Sequence, residues 1–254
     1  DILFWAQGLA VNNSYDVAIT EPDVSPIQLQ GPKSKEIMVK IFGNQVLDIK
    51  YYWFKKFNLN GIDLIISRTG WSSEFGYEIF LLNFEDGDEL YETLMQSGKG
   101  LGLHPGHTST IRRIEGAMLS YHSDMDINTN PFELGMDKFI DLDKGFDFIG
   151  KNALLNIKKN GITRKQVGII LHNNPMEGPN TRHWDIKKED KYIGKVTSAV
   201  YSPRLKQNIG LALVNINYSN IGSRFSICMD SSPVEAEVVE KPFYDPNKLI
   251  AKNS

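Results

Sequence analysis

The sequence predicts an α+β fold, in which a mixed α/β region is followed by a small all-β domain. Helix and strand patterns alternate through the first part of the chain. From Lys165 onward, five short strand patterns follow at a spacing of roughly 12–25 residues, which is typical of a small sandwich or barrel. The polar stretch KKNGITRK (158–165) separates the two parts. We therefore predict one domain over residues 1–160 and a second over residues 161–254.

Periodicity defines the elements of the first domain. Apolar residues at helical spacing predict helices at residues 1–10, 33–42, 86–98, 109–121 and 148–159. Gly43 ends the second of these helices, and acidic residues in the first turn of the third favour its N-terminus. Alternating patterns predict the strands DVAIT (16–20), SPIQLQG (25–31), YYWFKKF (51–57), IDLIIS (62–67) and YEIFLL (77–82).

The second domain is predicted from alternation alone. Its five strand patterns are VGIIL (167–171), YIGKVTS (192–198), NIGLALV (208–214), SRFSICM (223–229) and VEAEVVE (234–240). Each run is short and is followed by a polar or glycine-containing segment, as expected for strands that are joined by turns.

The composition excludes several classes of function. With 254 residues, 41% of them hydrophobic and 23% charged, the chain can bury large cores and is typical of a soluble globular protein. A net charge of −3 gives no electrostatic basis for binding nucleic acid or a membrane surface. The single Cys228 excludes an intramolecular disulfide and an all-cysteine metal site, and it fits a reducing, cytoplasmic compartment. No apolar run reaches the roughly 18 residues of a membrane span.

The start of the chain is unusual. It begins at Asp1, and the segment DILFWAQGLA has no basic residues before its apolar stretch, so it is a poor signal peptide. Because a compact domain seldom begins inside an amphipathic segment, we expect the sequence to be a piece of a longer protein.

Glu78 lies within the strand pattern YEIFLL, on a face that it shares with Phe80 and Leu82. Both faces of this strand are otherwise apolar, which is expected for a strand that is covered on both sides. A carboxylate in such a place loses several kcal/mol of solvation unless a partner hydrogen-bonds it. Periodicity favours a structural salt bridge or a strand end that reaches water, and it leaves a ligand-binding role open.

Two histidine motifs could indicate a metal site or a catalytic dyad. His104 and His107 form an HxxH pair, but the intervening Pro-Gly makes this segment a loop and no third ligand is near in sequence, so we predict no metal site. His122 and Asp124 could form a catalytic dyad, but no Ser or Cys nucleophile signature accompanies them. We therefore assign them to the cap region after a helix.

Two further motifs are interpreted as structural. The glycines of SGKGLGL (97–103) follow a helix rather than a strand, so they do not form a phosphate-binding loop. Arg112 and Glu115 have the i, i+3 spacing of a solvated salt bridge on a helix surface.

Four stretches carry a family resemblance along most of the chain. They are SRTGWSSEFGYEI, RRIEGAMLSYHSDMDINTNPFELGM, DFIGKNAL and GKVTSAVYSPRLKQNIGLALV. In this order they resemble the folate-binding aminomethyltransferase family, whose best-known member is the glycine cleavage system T-protein. The resemblance implies a T-protein-like fold, with a mixed α/β folate-binding region and a small C-terminal β-barrel.

The resemblance also implies an activity. Within the family, the segment EPDVSPIQLQGPKSKEIMVKIFG (21–43) and Trp71 are most similar to the dimethylsulfoniopropionate demethylases. This similarity implies a tetrahydrofolate-dependent methyltransferase that demethylates dimethylsulfoniopropionate to methylmercaptopropionate and forms 5-methyltetrahydrofolate. The expected partner is a small-molecule methyl donor, with no nucleic acid and no membrane.

Three alternatives stay open. The first is a glycine cleavage aminomethyltransferase, to which a lipoyl carrier protein would deliver the substrate; Ser109 stands where the T-protein has an arginine. The second is a non-transferase folate-binding protein, although TNPFELGM (129–136) lacks the cysteine of that group. The third is the C-terminal half of a dimethylglycine or sarcosine oxidase, which would have a flavin-binding domain upstream.

The resemblance assigns the site residues. Glu78 would bind the pterin ring, whose ring N–H and amino group present two parallel donors to a carboxylate. Trp71 would stack on the pterin or face a cationic sulfonium. Arg68 and Tyr77 are assigned to the cofactor as well, and Phe80, where the demethylases have tyrosine, to the substrate. No metal is implied, and the catalytic residues are expected in a missing N-terminal part that would form the other wall of the pocket.

Overall fold

The computed structural model describes residues 2–229 and 232–253 and divides the chain into two compact units. The first unit runs to Gly70 and from Glu74 to Gly106, and the second comprises Trp71–Ser73 and His107–Asn253. These units do not divide the chain between residues 160 and 161, where we predicted a domain boundary, because residues on both sides of that position belong to the second unit. The predicted boundary stays a prediction. The ends of the predicted domains, Asp1 and Ser254, lie outside the described residues.

The first unit is a four-stranded sheet with three helices. The helices are α1 (Ile2–Asn12), α2 (Ser34–Phe42) and α3 (Gly87–Gly98). The strands are β1 (Ser25–Gln30), β2 (Phe54–Leu59), β3 (Ile62–Ser67) and β4 (Gly76–Leu81). Their order is β1-β4-β3-β2, and each neighbouring pair is antiparallel. Four of the five predicted strands are present, whereas the predicted strand DVAIT is wrong, because these residues lie outside any helix or strand.

One face of this sheet carries the core. Apolar side chains from all four strands pack against α2 and α3, and the fully buried ones include Ile37, Met38, Leu64, Ile66, Tyr77, Ile79, Leu81 and Leu90. Ile65, Glu78 and Phe80 point to the other face and keep part of their surface exposed. Strand β4 is therefore buried on one face and partly covered on the other, which we call the open face.

The β2–β3 hairpin shows how local chemistry sets the register. Leu59 pairs directly with Ile62, so the turn has two residues, Asn60 and Gly61, and both have positive φ (53° and 101°). Asn-Gly is the preferred sequence for such a turn because both residues tolerate the left-handed region. Strand β2 begins three residues later than predicted, because Tyr52 has φ 65° and interrupts the extended backbone.

The second unit contains a closed six-stranded barrel and three helices. Its strands are β5 (Arg164–Leu171), β6 (Trp184–Lys188), β7 (Lys191–Ser202), β8 (Gln207–Asn215), β9 (Arg224–Cys228) and β10 (Pro233–Val239), in the order β10-β5-β8-β7-β6-β9. Its helices are α4 (Thr110–Glu115), α5 (Lys151–Asn160) and α6 (Leu249–Asn253). All five predicted strands are confirmed. Strand β6 was not predicted, because WDIKK has only two buried positions, Trp184 and Ile186, to reveal its alternation.

Helix α4 is much shorter than the predicted 109–121. It ends at Glu115, because Ala117 adopts a left-handed φ of 51° and the N–H of Met118 donates to the Arg113 carbonyl at 2.8 Å. This is the hydrogen-bond pattern of a Schellman cap. Ile114 packs with barrel residues of β7 and β8, including Val200 and Ile209, and this contact places α4 in the second unit.

The helices of the described ranges are short. None of them is long and apolar enough to cross a membrane.

Two adjacent isoleucines of β3 test the assignment of the core face. Ile66 is fully buried in the core, whereas Ile65 is half-buried on the other face. We expect Ile66→Ala to lower the free energy of unfolding by about 2–5 kcal/mol, because it leaves a cavity in a packed core. Ile65→Ala is the matched control and should cost clearly less. Urea denaturation measures both, and equal losses would contradict the assignment.

Candidate functional site

Strand β4 presents a carboxylate on the open face of the first unit. Tyr77, Ile79 and Leu81 enter the core, so Glu78 and Phe80 point the opposite way. Glu78 is half-buried. It pairs across the sheet with Ser67 of β3 and Gln28 of β1, neither of which carries a charge. Because side chains alternate between the two faces of β4, Glu78 lies on the face opposite the core.

One hydroxyl group, that of Thr69, binds the Glu78 carboxylate. The Thr69 hydroxyl donates a hydrogen bond to Glu78 Oε2, and Ser67 Oγ lies 2.5 Å from Thr69 Oγ1. Within residues 2–229 and 232–253, no basic side chain forms an ion pair with Glu78. The structural salt bridge that periodicity favoured is therefore not formed, and the Thr69 hydroxyl compensates in part for the burial of the carboxylate.

Apolar side chains lie beside the carboxylate on the same face. Phe80 is half-buried and pairs across the sheet with Ile65 on one side and Pro26 on the other. The open face thus combines one acceptor group with a row of apolar surface. Such a surface suits a flat ligand that has hydrogen-bond donors along one edge.

Gln30 fixes the backbone around this site. Its side-chain amide donates to the carbonyl oxygens of Thr69, at 3.2 Å, and Tyr77, at 3.1 Å. The side chain passes between Gly70 and Gly76: a Cβ on Gly76 would lie 2.5 Å from its amide carbon, and one on Gly70 would overlap it. The absence of a Cβ at both glycines makes space for the Gln30 amide, and its two hydrogen bonds hold both ends of the loop after β3.

Arg68 and Tyr77 lie on the core side of the sheet. The Arg68 guanidinium donates to the Gly76 carbonyl at 2.7 Å, and its carbon lies 3.6 Å from the centre of the Phe75 ring. Burial lowers the pKa of Arg68 and raises the pKa of Tyr77. The Tyr77 hydroxyl is fully buried and has no partner in the part of the chain that the structure describes. The predicted cofactor contacts of both residues stay predictions, and their observed packing is structural.

A second buried polar cluster lies in the second unit, around Asp124. Its Oδ2 accepts from Arg113 Nη1 at 2.8 Å and from the Ser120 amide at 2.9 Å. Its Oδ1 accepts from the hydroxyls of Thr197, at 2.7 Å, and Ser198, at 2.6 Å. These two successive residues of β7 reach one carboxylate because a bulge between Val196 and Ser198 interrupts the alternation.

Comparison with known families adds the observation that identifies the chain. Residues 3–144 match the family described as the GCVT N-terminal domain, and residues 164–245 match the glycine cleavage T-protein C-terminal barrel domain. The chain belongs to the glycine cleavage T-protein family. The resemblance seen in the sequence motifs and the predicted α+β, T-protein-like fold with its C-terminal barrel are confirmed.

Two relatives are similar in sequence to this chain over most of its length. Dimethylsulfoniopropionate demethylase DmdA of Ruegeria pomeroyi is 34% identical over 215 residues, which cover 85% of this chain and 58% of the relative. An aminomethyltransferase of Caldanaerobacter subterraneus is 36% identical over 229 residues, which cover 88% and 59%. The chain thus spans about three fifths of the length of these curated relatives.

A solved structure confirms the fold. Glycine cleavage system aminomethyltransferase T from Bartonella henselae superposes with a TM-score of 0.78 at 17% identity, over 96% of this chain and 66% of that one. At this identity the similarity is evidence for the T-protein fold alone.

The remaining predicted site residue, Trp71, belongs to the second unit of this T-protein-family chain. Its ring centre lies 5.8 Å from the Arg113 guanidinium carbon. Its predicted contact with pterin or sulfonium stays a prediction. His104 and His107 are both exposed, and among the described residues no group of three or more His, Cys, Asp or Glu side chains is arranged to hold a metal.

The predicted ion pair between Arg112 and Glu115 is formed, but its solvation and the interpretation of Asp124 were wrong. Glu115 is 2% exposed and accepts from Ser202 Oγ at 2.6 Å, so it is not part of a solvated pair; Arg112 Nη1 lies 3.8 Å from it. Asp124 is likewise buried and links α4 to the barrel instead of capping a helix. The available signal was position: Glu115 follows Ile111 by four residues, on the apolar side of the predicted helix.

Lys241 is a half-buried cation near the Asp124 cluster. Burial lowers its pKa to about 8, with the Asp124 charge opposing the shift and Lys165 adding to it. Its ammonium group donates to Gln166 Oε1. The folded protein therefore releases this proton at a lower pH than the unfolded chain does.

This difference predicts a pH-dependent stability. Between pH 8 and about 10.5 the unfolded chain binds more protons at Lys241, so the free energy of unfolding should rise with pH across this window and level off above it. The difference between the wild type and Lys241→Met, followed by urea denaturation, isolates the effect, and Lys187→Met controls for the loss of one surface charge. Parallel curves for the wild type and Lys241→Met would contradict the prediction.

Proposed function

We propose that this protein is a tetrahydrofolate-dependent one-carbon transferase. The observation that carries the proposal is the Glu78 carboxylate, which is half-buried beside apolar side chains, bound by a hydroxyl and without a basic partner in the described chain. Membership of the T-protein family supports this proposal, because the relatives with established names are methyl and aminomethyl transferases.

The residues on the open face fit the cofactor. A pterin ring is flat and carries a ring N–H and an amino group side by side, so it needs a carboxylate next to an apolar surface. Glu78 supplies two acceptor oxygens, of which Oε2 also accepts from Thr69. Phe80 and Ile65 supply apolar surface in the same sheet. A charge-assisted pair of parallel hydrogen bonds is both strong and directional, so it would fix the ring orientation.

The chemistry needs alignment more than acid–base help. When bound, tetrahydrofolate supplies the nitrogen that accepts the one-carbon group. Glu78 would bind and orient the cofactor through the donor edge, and Phe80, on the same face of β4, is proposed to contact the substrate, as the sequence motif implies. Correct orientation of reacting groups can supply several kcal/mol of the barrier reduction. Trp71 is proposed to contact the pterin or a cationic donor, as the sequence motif implies.

For the methyl donor we propose dimethylsulfoniopropionate, with methylmercaptopropionate as the product. The segment 21–43, Trp71 and Ser109 in place of the T-protein arginine support this choice. The second candidate is the glycine cleavage reaction with a lipoyl carrier partner, which the similarity to the Caldanaerobacter aminomethyltransferase supports equally well. The single free Cys228 is consistent with action in the cytoplasm.

The cofactor assignment is tested by Glu78→Gln in the full-length protein. The amide keeps the shape but replaces one acceptor by a donor, so tetrahydrofolate affinity should fall by about 10- to 100-fold, the loss expected from a charge-assisted hydrogen bond. Isothermal titration calorimetry measures the dissociation constant.

Glu92→Gln is the matched control for this titration, since Glu92 is an exposed carboxylate on α3. It should bind tetrahydrofolate as the wild type does. Unchanged affinity in Glu78→Gln would remove Glu78 from the site, and no binding by the wild type would overturn the cofactor proposal.

The methyl donor is tested by product analysis. With tetrahydrofolate and dimethylsulfoniopropionate, the full-length protein should form 5-methyltetrahydrofolate and methylmercaptopropionate, and with an aminomethylated lipoyl carrier it should form neither ammonia nor 5,10-methylenetetrahydrofolate. The reverse result would establish the second candidate, and turnover of neither donor would overturn both.

A further inference from the structure

We infer that Thr69 is a positioning residue for Glu78, whose carboxylate it orients before the ligand arrives. The identity of the ligand rests on the proposed function, whereas the geometry rests on contacts within the first unit. The loop that begins at Thr69 is therefore part of the binding machinery, and not only a connection between β3 and β4.

Register brings the three side chains together. Ser67, the last residue of β3, pairs directly with Glu78 of β4, so both side chains emerge on the same face of the sheet. Thr69 follows two residues later, and its hydroxyl lies 2.5 Å from Ser67 Oγ and donates to Glu78 Oε2. The three groups form a chain of hydrogen bonds that ends at the carboxylate.

The direction of this chain follows from the donors that are available. An ionised carboxylate only accepts, and each hydroxyl has a single proton to donate. Because Thr69 gives its proton to Glu78, its oxygen is left to accept from Ser67. The hydrogen bonds therefore run from Ser67 through Thr69 to Glu78 and end at its carboxylate.

Thr69 is itself held in place. The Gln30 amide donates to the Thr69 carbonyl at 3.2 Å, and it also donates to the carbonyl of Tyr77, the residue before Glu78. One side chain thus fixes the backbone of the donor and of the strand that carries the acceptor. The missing Cβ atoms of Gly70 and Gly76 leave the space that the Gln30 amide occupies.

The consequence is a preorganised acceptor. A free glutamate side chain samples many rotamers and loses this freedom when a ligand binds. A hydroxyl that already holds one carboxylate oxygen removes part of that loss in advance, so the ligand binds more tightly without any new contact to itself. Oε1 and the second lone pair of Oε2 stay available for the two donors of the ligand.

The test is a set of Thr69 variants in the full-length protein, with tetrahydrofolate as the probe. Thr69→Val keeps the shape and removes the hydroxyl, and we expect the dissociation constant measured by calorimetry to rise about tenfold. Thr69→Ser restores the hydroxyl and should restore the affinity to within about threefold. Thr20→Val is the matched control, because Thr20 is exposed in the same unit.

A double-mutant cycle separates positioning from a general structural effect. In a Glu78→Ala background, Thr69→Val should cause little further loss of affinity, because the acceptor that Thr69 orients is already gone. The same two changes should also be non-additive in the free energy of unfolding of the ligand-free protein, since they remove one shared hydrogen bond.

The outcomes are distinct. Wild-type affinity in Thr69→Val, failure of Thr69→Ser to restore binding, or additive losses in the affinity cycle would each overturn the positioning role. If the wild type bound no tetrahydrofolate, the proposed function would fail on its own. The unfolding cycle would then still decide whether Thr69 holds Glu78, and additivity there would overturn the inference.

Discussion

The alternation of side chains along β4 is the constraint on which the first unit depends. Tyr77, Ile79 and Leu81 are buried in the core, and a strand cannot bury them without directing Glu78 and Phe80 to the opposite face. A shift of one residue in register would expose the core and bury the carboxylate, so packing energy and site geometry select the same alignment. The position of the Glu78 carboxylate, the proposed ligand-binding group, thus follows from the core packing that stabilises the sheet.

Buried polar groups then give each unit its local precision. In the first unit, the Gln30 amide spans two carbonyl groups and holds both ends of a loop. In the second, Asp124 accepts four hydrogen bonds from α4, from the segment after it and from β7. A polar group that is removed from water needs a hydrogen-bond partner, and a hydrogen bond has a preferred distance and direction. These groups therefore fix the relative positions of neighbouring segments more narrowly than apolar packing does. The proposed action of Thr69 on Glu78 extends the same principle to the ligand face.

Sequence patterns predicted the elements better than their ends or the polar contacts. Strong alternation identified β3, β4 and the five barrel strands, whereas β6 escaped because its alternation is short. Helix α4 was predicted too long, because no sequence signal predicts that Ala117 adopts a left-handed backbone conformation. Glu115 was interpreted as solvated because i, i+3 spacing with an arginine is common on exposed helices, and only its 2% exposure shows otherwise. Spacing reports which residues share a face, but it does not report what covers that face.

The sequence by itself determined the family, the α+β class and the presence of an unusual carboxylate at Glu78. These features depend on local periodicity and on contiguous motifs, which can be recognised in the sequence without knowledge of the fold. Only the tertiary structure decided which face of β4 is open, that Thr69 binds the Glu78 carboxylate, and that Arg68 and Tyr77 pack on the core side. It also showed the order in which the six strands of the barrel pair, including β6. The physical reason is that burial, strand pairing and hydrogen-bond partners arise between segments that are distant in sequence, and these segments become neighbours only when the chain folds.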